Sequence, residues 1–92
     1  MIKTFLHKGL RDFFETGRKA GIQPHHAGRL GRQLRQLDDA TGASDMNVPG
    51  WKLHPLHGDL EGHFSVWVSG NWRITFRFEG TDAVFVDYQD YH

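Results

Sequence analysis

The apolar residues of this 92-residue chain change their spacing part-way along it, and this change most constrains how the chain can fold. Up to about residue 40 they recur every three or four positions, as on one face of a helix, and from about residue 51 they alternate with polar residues, as in strands. The clearest alternation has apolar residues at even positions: Trp72, Ile74, Phe76 and Phe78. The pattern predicts helices first and strands afterwards.

Two helices are predicted in the first part of the chain. The first covers residues 8–20 and stops before Gly21, with apolar positions at Leu10, Phe13 and Phe14. The second covers residues 24–40, where Pro24 suits a first helical turn, and its apolar stripe consists of Ala27, Leu30, Leu34 and Leu37. Short strands are predicted at residues 51–53 and 83–89, on either side of a hairpin.

The segments 62–68 and 72–79 predict that hairpin, and its register follows from the apolar pattern because cross-strand partners share a face. A three-residue loop at 69–71 pairs 68 with 72, 66 with 74 and 64 with 76, and places Trp67 opposite Arg73. One face of the sheet then packs under the helices. The other face has cations beside an aromatic ring, as surfaces that bind nucleic acids do: His63, Trp67, Arg73 and Arg77. An ordinary solvated outer face is the alternative.

Composition narrows the chemistry that is available to the chain. There is no cysteine, which excludes a disulfide framework, a thiolate nucleophile and a zinc–thiolate site. No segment approaches the roughly 18 apolar residues that a membrane span needs. We therefore expect a single domain, residues 1–92, that is cytoplasmic and has no membrane partner.

The net charge of zero hides a strong asymmetry between the two parts of the chain. Residues 1–35 contain eight Lys or Arg and two acids, whereas residues 36–92 contain three Lys or Arg and nine acids. The basic part can attract phosphate backbones or an acidic partner.

The chain ends on three side chains that can exchange protons, Asp90, Tyr91 and His92. The strand predicted just upstream could fix them to the sheet, and a polar tail is the alternative. His54 begins a turn in which Pro55 holds it extended. If the last strand lies next to residues 51–53, His54 and His92 face each other across a cleft that has Arg73 between them.

Such a set of residues suits metal-independent cleavage of RNA. A base removes the proton of a 2′-hydroxyl, the oxygen attacks the adjacent phosphorus, an acid protonates the leaving 5′-oxygen, and a cation stabilises the added charge. The competing interpretation is a metal site formed by His54, His57, His63 and Asp59. His25 and His26 point about 100° apart in a helix, so we expect surface residues rather than joint ligands.

Four motifs of this chain resemble one protein family: Ile2-Lys3-Thr4-Phe5, Lys52-Leu53-His54-Pro55-Leu56-His57-Gly58, Asn71-Trp72-Arg73-Ile74-Thr75-Phe76 and Asp87-Tyr88-Gln89-Asp90-Tyr91-His92. The chain resembles the HigB toxins, or plasmid maintenance system killer proteins, of the RelE superfamily over essentially its whole length. The resemblance implies an α+β fold in which two N-terminal helices pack on a small, mostly antiparallel sheet. It implies a toxin that cleaves mRNA on the ribosome without a cofactor and inhibits translation, and a HigA-like helix-turn-helix antitoxin as partner.

Carried over by matching position, the resemblance implies roles for the candidate residues. His54 and His92 are the acid/base pair, Asp90 and Tyr91 orient or polarise, and Arg73 contacts the phosphate.

Two further residues, His57 and Trp67, are implied to bind the substrate but depart from the family pattern. His57 replaces a frequent lysine and is only partly charged at neutral pH, so phosphate binding there should be weaker and pH-dependent. Relatives often have an arginine at the position of Trp67. Either Trp67 stacks on a base, or the protein is a slower nuclease. The alternative function is therefore a non-catalytic module of the same fold that binds RNA or an antitoxin without efficient cleavage.

Overall fold

The structure, a computed structural model, describes residues 1–91. It contains two α-helices, α1 (Lys8–Thr16) and α2 (Ala27–Asp39), and four strands, β1 (His54–Pro55), β2 (Phe64–Ser69), β3 (Trp72–Glu79) and β4 (Asp82–Asp90). Short 3-10 turns occur at Pro24–His26, Ala43–Met46 and Gly58–Leu60. The strands form one antiparallel sheet in the order β1-β2-β3-β4. The predicted α+β fold is confirmed.

The first six residues extend the sheet beside β4. Ile2 pairs with Ala83 and Phe5 pairs with Val86, both in parallel orientation. The backbone amides of residues 3 and 6 donate to the carbonyls of Ala83 and Val86 at 2.8 Å each. The amide of Ile2 also donates to the Asp38 carboxylate at 2.9 Å, which joins this segment to the end of α2. The sheet is therefore mostly antiparallel, with one parallel segment at its β4 edge.

Helix α1 is shorter than predicted, because Gly17 ends it rather than Gly21. Gly17 adopts the left-handed conformation, with φ of 81°, and its amide donates to the Phe13 carbonyl at 2.9 Å, which caps the last turn. Gly21 instead lies against Gly9, where an added Cβ would come within 2.5 Å of the Gly9 Cα. Position 21 therefore requires glycine, because the backbones of residues 9 and 21 approach each other too closely for a side chain.

The core lies between the helices and one face of the sheet. Its fully buried side chains come from both layers: Leu10, Leu30, Leu34, Leu37, Val66, Ile74, Phe76 and Val86. Burial of each such side chain stabilises the fold by about 1.5–3 kcal/mol. This confirms the prediction that the even-numbered residues of the hairpin face the helices. No helix within residues 1–91 is long and apolar enough to cross a membrane.

The hairpin has the predicted register over most of its length. Residues 64, 65, 66 and 67 pair with 76, 75, 74 and 73, so Trp67 lies opposite Arg73. The predicted three-residue loop is wrong, because Ser69 pairs with Trp72 and leaves a two-residue turn at 70–71. A β-bulge between residues 67 and 69 accommodates the extra residue, so the pairing of residues 64–67 is the one predicted.

The neighbours of the last strand also differ from the prediction. The strand expected at residues 51–53 is displaced to His54–Pro55, although the Trp51 carbonyl still accepts a hydrogen bond from the Trp67 amide at 2.7 Å. β1 pairs with β2 alone, and β4 lies at the opposite side of the sheet. About 14 Å therefore separates β1 from β4, since neighbouring strands are about 4.8 Å apart. His92, the predicted partner of His54, lies outside the described residues.

Candidate active site on the outer face of the sheet

The face of the sheet that points away from the helices has two rows of side chains that include candidate site residues. One row crosses all four strands through the pairs His54–Ser65, Ser65–Thr75 and Thr75–Asp87. Ser65 and Thr75 in its middle are buried, and the Ser65 hydroxyl has no hydrogen-bond partner among residues 1–91. Two residues at the centre of this face are thus shielded from solvent.

The second row contains Trp67, Arg73 and Gln89 on β2, β3 and β4. Arg73 is half-buried, and its Nε atom is buried without a hydrogen-bond partner in the described part of the chain. Its guanidinium carbon lies 5.6 Å from the centre of the Tyr91 ring. A half-buried cation therefore lies beside a phenol.

Tyr91 is fixed to the hairpin rather than left as a loose tail. Its amide donates to the carbonyl of Asn71 in the β2–β3 turn at 2.8 Å. The Arg73 contact then places the Tyr91 ring on the outer face. The chain is thus ordered by hydrogen bonding up to residue 91, as the upstream strand predicted.

Asp90 occupies a different face from Tyr91. It pairs with Trp72, an even-numbered residue of the helix-facing set, and successive residues of a strand point to opposite faces. Burial of the phenol, and to a lesser degree the charge of Asp90, raises the pKa of Tyr88, which belongs to the same face as Asp90. The structure brings Tyr91, but not Asp90, to the face that carries Arg73.

Trp67 contacts two cations that are not among the site residues predicted from the sequence. The Lys52 Nζ lies 4.6 Å and the Arg29 guanidinium carbon 5.3 Å from the ring centre. The indole Nε1 donates to the Gly70 carbonyl at 2.9 Å, and the Trp67 carbonyl accepts from the Gln33 amide at 2.8 Å. Lys52 could have been noticed because it lies two positions before His54, whereas nothing in the helical pattern distinguishes Arg29.

His57 lies on the surface, apart from both rows. Its side chain is 78% exposed, and its Nδ1 lies 3.4 Å from the Glu61 carboxylate across the 3-10 turn. His63, which the hairpin register had placed on the outer face, stacks on Phe85 with ring centres 6.3 Å apart. Within residues 1–91 no group of three or more His, Asp or Glu could hold a metal ion. The alternative set of His54, His57, His63 and Asp59 is therefore not assembled.

The expectation that His26 is a surface residue is wrong. It is 3% exposed, and its Nδ1 lies 2.6 Å from the hydroxyl of Tyr88 on β4. The connection between the helices bends as a 3-10 turn at Pro24–His26, which puts the ring between that turn and the sheet. Burial, and to a lesser degree the charge of His25, lowers the pKa of His26. Sequence periodicity carries no signal for this pairing across 62 residues.

This buried histidine predicts a loss of stability at acid pH. The unfolded chain binds a proton on residue 26 near pH 6.5, whereas the folded chain, whose pKa for His26 is lower, does not. The free energy of unfolding should therefore decrease as the pH falls below about 6.5, until the lowered pKa is reached. Urea unfolding at pH 7.5, 6.5 and 5.5 measures this.

The free energy of unfolding of His26→Gln should decrease less over that pH range than that of the wild type. His25→Gln, at the exposed neighbouring position, should show most of the wild-type decrease. Equal pH dependence in wild type and His26→Gln would contradict the assignment.

Comparison with known proteins identifies the family. A family model described as "RelE-like toxin of type II toxin-antitoxin system HigB" matches residues 3–92. The chain belongs to this family of HigB-like toxins. It is 46% identical to the "Endoribonuclease HigB" of Proteus vulgaris over the full length of both proteins. It is 31% identical to the "Toxin HigB-1" of Vibrio cholerae serotype O1, with 85% of this chain and 84% of that toxin covered.

The family resemblance and the functional class predicted from the sequence are confirmed by these matches. The protein is a toxin of the type II toxin–antitoxin class with the activity of an endoribonuclease. Membership of such a family implies an antitoxin as a partner.

Proposed function

We propose that this HigB-like toxin cleaves mRNA in the decoding site of the ribosome, in the cytoplasm, and that residues 1–92 do so as one domain without a cofactor. The observation that carries the proposal is Arg73 on the outer face of the sheet. Its half-buried guanidinium has an unused Nε donor, lies beside Tyr91 and lies across from Trp67. A guanidinium held in position is what a phosphodiester needs when negative charge develops on it.

The cleavage would proceed through the ribose of the RNA itself. A base takes the proton of the 2′-hydroxyl, the oxygen forms a bond to the adjacent phosphorus, and the bond to the 5′-oxygen breaks as an acid protonates that oxygen. The products are a 2′,3′-cyclic phosphate and a free 5′-hydroxyl. We assign the acid and base roles to His54 and His92, and the phosphate contact to Arg73.

The position of His54 supports its part in this scheme. It is exposed on the short edge strand β1, held extended by Pro55, and paired with the buried Ser65. Two strand spacings, about 10 Å, lie between β1 and β3, and leave room for a phosphate group between His54 and Arg73. Tyr91, in contact with Arg73, would orient the guanidinium or the phosphate. Asp90, on the other face, would act through the backbone of the last strand.

The partners that we propose are the ribosome carrying mRNA and a HigA-like helix-turn-helix antitoxin. The excess of basic residues in positions 1–35 supports docking on ribosomal RNA, because clustered Lys and Arg residues attract phosphate backbones.

One observation favours the alternative, a module of the same fold that binds RNA or an antitoxin without efficient cleavage. His57, which the resemblance implies as a contact of the substrate phosphate, already has a carboxylate neighbour in Glu61. That neighbour competes with a phosphate for the imidazole.

The test compares the same mRNA, free and bound to ribosomes, after incubation with the purified toxin. The proposal predicts a cut within the decoding site of ribosome-bound mRNA and intact free mRNA. Intact mRNA in both samples, together with co-sedimentation of the toxin with ribosomes, would support the non-catalytic alternative. Equal cutting in both samples would refute dependence on the ribosome.

A further inference from the structure

Arg29 and Lys52 converge on the ring of Trp67 from two separate parts of the chain. Arg29 comes from the first turn of α2, and Lys52 from the segment that leads into β1. Within residues 1–91 neither side chain forms an ion pair with a carboxylate. Two positive charges that share one aromatic ring repel each other, and the hydrogen bond from Arg29 to the Gly50 carbonyl, at 3.4 Å, does not neutralise either charge. This arrangement favours an anion from outside the protein.

The backbone at Lys52 adds an independent observation. Its φ of 53° is in the left-handed region, which favours glycine over a residue with a side chain. On one side the Trp51 carbonyl is bonded to the Trp67 amide, and on the other His54 pairs with Ser65. The side chain of Lys52 is exposed, so burial in the core does not explain a lysine at this strained position. Strained backbone of this kind occurs often where a side chain is held for binding.

Trp67 provides a rigid support for the two cations. Hydrogen bonds fix it at both ends, from the indole Nε1 to Gly70 and from Gln33 to its carbonyl. It also lies directly opposite Arg73 on the neighbouring strand, at a backbone separation of about 5 Å. Any group held by Arg29 and Lys52 is therefore next to whatever Arg73 contacts.

We propose that Arg29 and Lys52, held against Trp67, form a subsite for a backbone phosphate of the mRNA that neighbours the phosphate being cut. The inference rests on the proposed function, and it assigns to Trp67 the role of positioning two cations rather than stacking on a base. The subsite contributes to binding of the substrate and not to the bond-breaking step.

The flanks of α2 offer a matched control for Arg29. Arg29 and Gln33 lie on the flank that faces Trp67. Arg35 lies on the other flank, where it lines a cavity of about 260 Å³ between α1 and α2 together with Phe13 and Leu34. Arg35→Gln removes the same charge from the same helix without touching the proposed subsite.

The first experiment measures single-turnover cleavage of ribosome-bound mRNA as a function of toxin concentration. For Arg29→Gln and Lys52→Gln the half-saturating concentration should rise several-fold and depend less steeply on salt, by about one unit of the log–log slope, while the maximal rate stays within about twofold of the wild type. Arg35→Gln removes a charge from the basic part of the chain but not from the subsite, so it should raise the half-saturating concentration less than either variant and leave the maximal rate unchanged. Lys52→Gly should show the same rise in half-saturating concentration while its melting temperature is equal to or above that of the wild type, because glycine relieves the strained backbone.

The second experiment identifies the phosphate by replacing single phosphates of the mRNA, on either side of the cut, with neutral methylphosphonates. One of these positions should weaken binding of the wild type but have little further effect on Lys52→Gln. The inference is overturned if the variants bind like the wild type, or if no mRNA position couples to Lys52, which would place the phosphate on ribosomal RNA. Failure of the wild type to cut any mRNA would instead refute the proposed function, so the two failures are distinguishable.

Discussion

The His54→Gln protein should cleave ribosome-bound mRNA about 10²- to 10⁴-fold more slowly than the wild type in single-turnover experiments, which is the range for loss of one general acid or base. Glutamine keeps the polarity and approximate size of histidine but neither accepts nor donates a proton in the reaction. The exposed position of His54 on β1 means that the change removes no buried contact, so folding should be preserved. Quenched-flow measurement of cleaved mRNA at saturating toxin gives the rate constant.

A control and a second variant make this prediction specific. His25→Gln changes an exposed histidine near the start of α2 and should retain the wild-type rate. His92→Gln should lose activity by a similar factor to His54→Gln. If the two histidines act in the same step, the double variant should lose less than the product of the two single losses, because residues that act as a unit are not additive. Wild-type rates in both single variants would refute the assignment of the acid/base pair.

The Arg73→Gln protein should show a decrease of about 10²- to 10³-fold in the same rate constant, the size expected when a positioned electrostatic contact to a developing negative charge is removed. The effect should fall on the maximal rate more than on the half-saturating concentration, because charge builds up on the phosphate in the transition state. Toxin-concentration series with the variant and the wild type separate the two effects.

Arg77 supplies the matched control for Arg73. It lies two residues further along β3, but its guanidinium is 3.9 Å from the carboxylate of Glu79 and its cross-strand partner is Val84. Arg77→Gln should therefore keep the wild-type rate. Equal losses in both arginine variants would indicate a general effect of charge, and would contradict a specific contact at Arg73.

Much of the sheet was predictable from the sequence because its alternation is strict. Even-numbered apolar residues on β2 and β3 have to share the buried face, and this requirement together with a short loop gives the pairing of Trp67 with Arg73. The bulge near residue 68 was not predictable in this way. An extra residue that pairs with nothing leaves the apolar pattern on both sides unchanged.

Positions in the candidate site were predictable from the sequence only where a single strand or hairpin determines them. Arg73 follows from the hairpin, and the anchoring of Tyr91 follows from the strand before it. The expected adjacency of the last strand and residues 51–53 is wrong, because the order of strands in a sheet depends on packing of the whole chain, which local periodicity does not encode.

Contacts between distant segments were missed for the same reason. The burial of His26 against Tyr88 requires a turn between the helices to meet the last strand. The approach of Arg29 to Trp67 requires one flank of α2 to lie beside the bulged end of β2. Neither His26 nor Arg29 belongs to an apolar stripe, so the apolar pattern of the sequence does not predict their contacts.

The chemical nature of the RNA ends tests the central claim most directly. Ribosome-bound mRNA cut by the wild-type toxin can be recovered and its two new ends determined by mass spectrometry of the fragments. Attack by the 2′-hydroxyl, assisted by His54 and His92, predicts a 2′,3′-cyclic phosphate on the upstream fragment and a 5′-hydroxyl on the downstream fragment. A 3′-hydroxyl and a 5′-phosphate at the cut would contradict the account, because those ends require water to attack the phosphorus from outside the RNA.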